Sequence, residues 1–372
     1  MTPDPLDALV TAVCAVAADE AGEVGAVVVA QVDRLAPLLD AGDRERVIAR
    51  AVARLAGLDA LDEFLRDARV DEVMVNAGRE VWVDRDGALA HVADLPPGAT
   101  EVVLERVLAP LGKRLDRTHP VVDARLPDGA RLCAVVAPVA VDGTVMSIRR
   151  HRTRRLELTA FAPPEVAAVL EQLVAGRANV LVSGATSAGK TTLLAALVEH
   201  AAPADRLVVL EDTTELVFPG RHAVRLEALH PIADTVGAVE LADLVRAALR
   251  LRPDRLVVGE FRGGEVLAVV QALNTGHDGS LSTCHANSAV DALRRVETLV
   301  MQAAPSWPLV AIRRQVTRSL DAVIHVARRP DGARRVVEVA EVIESGDEPS
   351  VRPLADGGNV LAAPTRLRRE AT

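Results

Sequence analysis

Residues 184 to 191 read Gly184-Ala185-Thr186-Ser187-Ala188-Gly189-Lys190-Thr191, the G-x-x-x-x-G-K-[ST] pattern of a phosphate-binding loop. Its context constrains the fold more than any other stretch of the chain. Asn179-Val180-Leu181-Val182-Ser183 before it is a short apolar run that suits a buried parallel strand. Thr191-Thr192-Leu193-Leu194-Ala195-Ala196-Leu197-Val198 after it is rich in helix formers. Strand, glycine-bounded loop and helix, in that order, aim backbone N–H groups and a helix N-terminus at phosphate oxygens. Gly184, Ala185, Thr186, Ser187, Ala188, Gly189, Lys190, Thr191 and Thr192 are therefore the expected nucleotide contacts, and Thr191 offers a hydroxyl to Mg²⁺. Lys190 is one of two lysines among 43 basic residues. A slim ammonium reaches between β- and γ-phosphates where a planar guanidinium would crowd the loop.

A length of 372 residues allows two or more domains, and 49% hydrophobic content excludes a disordered chain. Apolar stretches such as 10–18 and 27–32 are too short to span a bilayer, and no basic, then hydrophobic, segment marks a secretory leader. Cys14, Cys133 and Cys284 are scattered without metal spacing, as in a reducing cytoplasm. A net charge of −9, 2% aromatics and no tyrosine weigh against a chain that coats or stacks on nucleic acid.

Along the chain, helical spacing such as Val47, Ala51, Val52 and Leu55 predicts a helical N-terminal segment, 1–56. Residues 57–148 change to short alternating strands, with Val73, Val75, Val81 and Val83 on one face and Asp84-Arg85-Asp86-Gly87 as a hairpin turn. That pattern predicts an α+β domain. Arg149, Arg150, Arg152, Arg154 and Arg155 open a basic linker, 149–160. Residues 161–372 alternate apolar runs and helical stretches, as a P-loop α/β domain does.

Three later segments carry chemistry. Leu207-Val208-Val209-Leu210 reads as a buried strand delivering Glu211 and Asp212 to the ligand side of a parallel sheet. Residues 240–251 predict an amphipathic helix. Leu256-Val257-Val258-Gly259 then delivers Glu260, placed to orient or deprotonate an attacking water. Generic P-loop proteins put an aspartate before that glutamate; here the residue is Gly259, so Mg²⁺ must rely on Thr191, phosphates, water and Glu211 or Asp212. Residues 275–287 carry His277 and His285 around one short strand, positions from which imidazoles can sense a γ-phosphate.

With these residues the chain resembles the type II/IV secretion-system ATPases, within them the branch serving Tad/Flp pili and conjugal-transfer-associated relatives. The boxes read Gly184 to Thr191, Glu211-Asp212-Thr213-Thr214-Glu215, Leu256 to Glu260 with Arg262-Gly263-Gly264-Glu265, and Thr275 to Asn287. Asp71-Glu72-Val73-Met74-Val75-Asn76, residues 122–131 and Ser147-Ile148-Arg149-Arg150 extend the likeness over roughly 55–330.

The resemblance implies a homohexamer in which a PAS-like N-terminal domain precedes a RecA-like domain and ATP binds at their junction. It implies Lys190 and Glu260 as catalytic groups, Glu211 and the two histidines as couplers, and Glu211 near the metal, if only through water. Arg125, Arg131, Arg149 and Arg150 match the arginines that relatives bring to the γ-phosphate. It further implies a polytopic inner-membrane platform partner and a place on the cytoplasmic face of the membrane. A nucleic-acid-translocating motor and a low-turnover nucleotide-gated scaffold are the competing readings.

Overall fold

Local sequence accounts for the first helices. The Asp40 carboxylate accepts the Gly42 and Asp43 N–H groups and so caps α3 (Ala41–Ala56). With α1 (Asp7–Ala17) and α2 (Val24–Leu35) it encloses an apolar cluster of its own, Val10, Val13, Val28, Val32, Val47 and Ala51. The computed structural model describes residues 6–150, 156–218, 220–229, 237–329, 331–344 and 348–368. Arg152, Arg154 and Arg155 of the basic run lie outside them. The chain divides into two compact units between residues 152 and 153.

After α4 (Leu61–Arg66) the first unit continues as β1 (Val70–Asn76), β2 (Glu80–Arg85), β3 (Ala88–Asp94), α5 (Ala99–Leu108), β4 (Val121–Arg125), β5 (Arg131–Val135) and β6 (Val145–Arg149). The strands form an antiparallel sheet in the order β3-β2-β1-β6-β5-β4. Strict alternation buries Val122, Ala124, Leu132, Ala134, Met146 and Ile148 against Leu61, Val103, Leu104 and Leu108. The opposite face of β4, β5 and β6 is largely open.

The second unit begins with α6 (Pro164–Ala175), β7 (Val180–Gly184), α7 (Lys190–Glu199), β8 (Leu207–Glu211), β9 (Ala223–Glu227), α8 (Leu241–Ala248) and β10 (Arg255–Phe261). It continues with α9 (Glu265–Leu273), β11 (Leu281–His285), α10 (Ala289–Ala303) and α11 (Leu309–Ser319). Strands β12 (Ala322–Arg328), β13 (Arg334–Ile343), β14 (Ser350–Asp356) and β15 (Asn359–Val360) complete it. The sheet order is β15-β14-β13-β12-β7-β11-β10-β8-β9, parallel from β12 to β9 and antiparallel beyond β12.

Alternate residues of each strand feed two cores: Val180 and Val182 pack with α6 and α7, while Leu181 packs with α8 to α11. Helix α8 stops a turn before the spacing suggests, leaving Leu249 half-exposed. At the amino-terminal edge of the sheet, buried Arg255 ties the strands together. Its Nε donates to Asp205 at 2.6 Å, and its Nη1 donates to the Val174 and Gly279 carbonyls. Among the described residues no helix is long and apolar enough to cross a membrane.

Candidate active site

The phosphate loop leaves the carboxyl end of central β7 and enters α7 at Lys190. Gly189 adopts φ +100°, a left-handed conformation that side chains resist. The turn points the first N–H groups of α7 back toward the loop. Lys190 is buried, and its Nζ donates to the Gly184 and Ala185 carbonyls at 3.2 and 3.1 Å. Burial holds its pKa below the ordinary lysine value, against the opposing pull of Glu260.

Glu260 comes from β10, two strands away. Arg262 grips one carboxylate oxygen, Oε2, with Nη2 at 2.6 Å and Nε at 2.7 Å. The other, Oε1, lies 3.9 Å from Lys190 Nζ and 2.7 Å from His285 Nε2. The imidazole is close but misaligned, so Oε1 is buried without a hydrogen-bond partner among the described residues. Such an acceptor is costly to leave unsatisfied and marks where a donor must arrive.

His285 ends β11 with Nδ1 at 3.2 Å from Lys190 Nζ. Partial burial lowers its pKa, the neighbouring Lys190 adding to the effect and Glu260 opposing it. Lys190, Glu260 and His285 are therefore brought together at the carboxyl edge of the sheet, the expected ligand side. His277 is not. It precedes β11 at the other end of the strand, with Nδ1 at 3.1 Å from the Ala272 carbonyl. Five strand residues at about 3.3 Å each hold the two histidines apart.

Glu211 ends β8, but its carboxylate turns inward rather than toward a metal position. It accepts the Glu215 N–H at 3.0 Å and the Leu216 N–H at 3.1 Å, tying down the loop that follows. Burial pushes its pKa up to about 7, outweighing those two hydrogen bonds. Gly259 is explained by the same side chain: a Cβ there would lie 3.0 Å from Glu211 Cγ. The room that an aspartate would need beside Glu260 is taken by Glu211.

In the first unit, cross-strand register pairs Arg125 with Arg131 and Arg131 with Arg149. The three therefore form one row on the open face of the sheet, and all are exposed. Arg150 is on the other side of the strand, its Nη1 donating to the Asp67 carbonyl at 2.8 Å. Sequence reasoning gave no role to Arg262, which clamps Glu260 and lies 3.5 Å from Asp212. Its position two residues after Glu260, just past the end of β10, was the available signal. Glu265, at the start of α9, holds that turn by accepting the Gly263 N–H at 2.8 Å.

Residues 55–352 match the family described as Type II/IV secretion system protein. The chain belongs to that family. It is a nucleotide-binding P-loop ATPase of the secretion-motor type. A Mycobacterium tuberculosis protein named for conjugal transfer is 38% identical over 299 residues, covering 77% of this chain and 84% of its own. The conjugal transfer protein TrbB of Rhizobium radiobacter is 34% identical over 293 residues, covering 76% and 87%. Among solved structures the pilus retraction motor PilT with bound ADP shares the fold, with a TM-score of 0.55. It is 20% identical and covers 76% of this chain and 81% of that one. The ATPase DotB of Legionella pneumophila matches at a TM-score of 0.55 and 19% identity, covering 77% and 81%.

Proposed function

We propose that this chain is the ring-forming ATPase of a conjugal-transfer or related pilus-type secretion apparatus, with Glu260 as the base that activates water. The observation that carries the reading is the split employment of the Glu260 carboxylate. Arg262 holds Oε2 and so fixes the orientation, while Oε1 is buried, unsatisfied and turned toward Lys190. A general base needs one free, aimed oxygen within reach of the attacking water, and this is that arrangement.

The donor set fits Mg²⁺. Thr191, in the first turn of α7, together with phosphate oxygens and water would hold the ion. When bound, the ion would neutralise charge developing on the phosphates. Glu211 is a poor member of that set, because its oxygens serve backbone N–H groups. Its part is to couple the strand to the loop 212–218.

The row of Arg125, Arg131 and Arg149 supports a role for these residues toward the γ-phosphate in the assembled ring. Like charges directly opposite one another destabilise a sheet, so the row makes sense as a built anion site. Arg150, spent on Asp67, has no such part. Membership of the secretion-system family supports a ring, here taken as a homohexamer that works with a polytopic platform protein at the cytoplasmic face of the membrane.

The test is phosphate release by the purified full chain with ATP and Mg²⁺, with ring size measured in parallel. Cross-linking of an ATP-trapped Glu260→Gln ring should then capture a multi-spanning membrane protein. A chain that stays monomeric and releases no phosphate overturns the proposal. Activity that rises with added DNA and collapses with salt would reassign it to nucleic-acid translocation.

A further inference from the structure

Strand β12 runs parallel to β7, with Ala322 beside Val180 and His325 beside Ser183. Val326 therefore stands beside Gly184, and the last two residues of β12 pass beyond the end of β7 and flank the phosphate loop. The chain then turns back, and β13 begins at Arg334 opposite Arg328. The Arg334 side chain lies across the loop. A Cβ placed on Gly189 would sit 2.6 Å from Arg334 Cδ and 3.4 Å from its Nε. Its Nη1 donates to Thr192 Oγ1 at 3.3 Å.

Lys190 is approached from the opposite flank. Its partners Glu260 and His285 belong to β10 and β11, which lie on the other side of β7 from β12. The two cations thus close on the helix N-terminus from two sides. Lys190 and Glu260 mark the end where the γ-phosphate is cleaved, an assignment that rests on the function proposed above. Arg334 touches the second loop glycine and Thr192, one residue past the Mg²⁺-side hydroxyl of Thr191, and so faces the other end of the phosphate chain.

We propose that Arg334 is a second nucleotide-binding cation, contacting the α-phosphate of both ATP and ADP from the β12–β13 hairpin. Its guanidinium already hydrogen-bonds the first turn of α7. A phosphate seated on the N–H groups of that turn would meet the same fork of donors. Because the contact is made before and after γ-phosphate loss, it serves binding and not cleavage.

The experiment measures affinity of the full chain for ATP, ADP and AMP by calorimetry, with steady-state hydrolysis alongside. Arg334→Ala should weaken all three nucleotides by a similar factor, about tenfold or more for a charge-assisted contact. KM should rise while kcat at saturating ATP stays near the unsubstituted value. Arg334→Lys, which keeps the charge and the aliphatic packing over Gly189, should recover part of the loss. Arg328→Ala, a nearby exposed charge, should change nothing. Unchanged affinities, or a loss confined to ATP, overturn the proposal. So does a lower melting temperature of the nucleotide-free protein with affinities intact, which would make Arg334 merely structural. If the unsubstituted chain bound neither ATP nor ADP, the underlying ATPase reading would fail instead.

Discussion

Glu211 offers a quantitative test of how burial sets the chemistry around Glu260. Its ionisation shifts from 4.5 to about 7 in the folded chain because the carboxylate is desolvated under β10. At 1.36 kcal/mol per unit the difference amounts to about 3 kcal/mol. The sign follows from proton uptake. Between pH 4.5 and 7 the unfolded chain has lost this proton and the folded chain still holds it, so stability falls as pH rises. The contribution is fully present below pH 4.5 and gone above about pH 7. Glu211→Gln keeps an uncharged side chain of similar shape and cannot titrate. Its stability relative to the unsubstituted chain should therefore improve by about 3 kcal/mol on going from pH 4.5 to 7.5, most other titrations cancelling in the difference. Urea unfolding followed by Trp307 fluorescence, in a Trp82→Phe background, reports the second unit alone. Parallel pH profiles for the unsubstituted and Glu211→Gln chains would falsify the burial argument.

Removing Arg131 or Arg149 should lower turnover by about 10³-fold or more, as loss of a phosphate-directed arginine does, with ADP affinity unchanged. Arg150→Ala should instead destabilise the first unit, since it loses the Asp67 carbonyl contact. Equal turnover in all three variants would refute the arginine row. Arg255→Ala breaks a buried ion pair with Asp205 and should cost about 3–5 kcal/mol; a urea midpoint within error of the unsubstituted chain would contradict that. Gly189→Ala puts a Cβ into Arg334 at φ +100° and should cost about 1–3 kcal/mol of loop strain. It should be read as weaker ADP binding, and full affinity would show the loop to be more compliant than its geometry.

The phosphate loop was legible in the sequence because strand, loop and helix are adjacent, so local pattern and fold coincide. The place of Glu260 beside Lys190 was legible for the same reason, as the residue that follows the apolar run 256–259. Glu211 was misjudged because every residue of β8 is buried. A two-sided strand has no period-two signal to say which way its last side chain turns. The two histidines looked like a pair in the linear sequence, and only the length of β11 between them separates the ends. The arginine row depends on register among β4, β5 and β6, which is fixed by long-range pairing. Arg334 stands 142 positions from Thr192, and only the pairing of β12 with β13 returns it to the phosphate loop.

Single-turnover hydrolysis by Glu260→Gln tests the central claim most directly. The account predicts ATP bound as tightly as before, with phosphate release slowed about 10²- to 10⁴-fold, the range of a lost general base. Phosphate release at the unsubstituted rate would remove Glu260 from the chemistry and contradict the account.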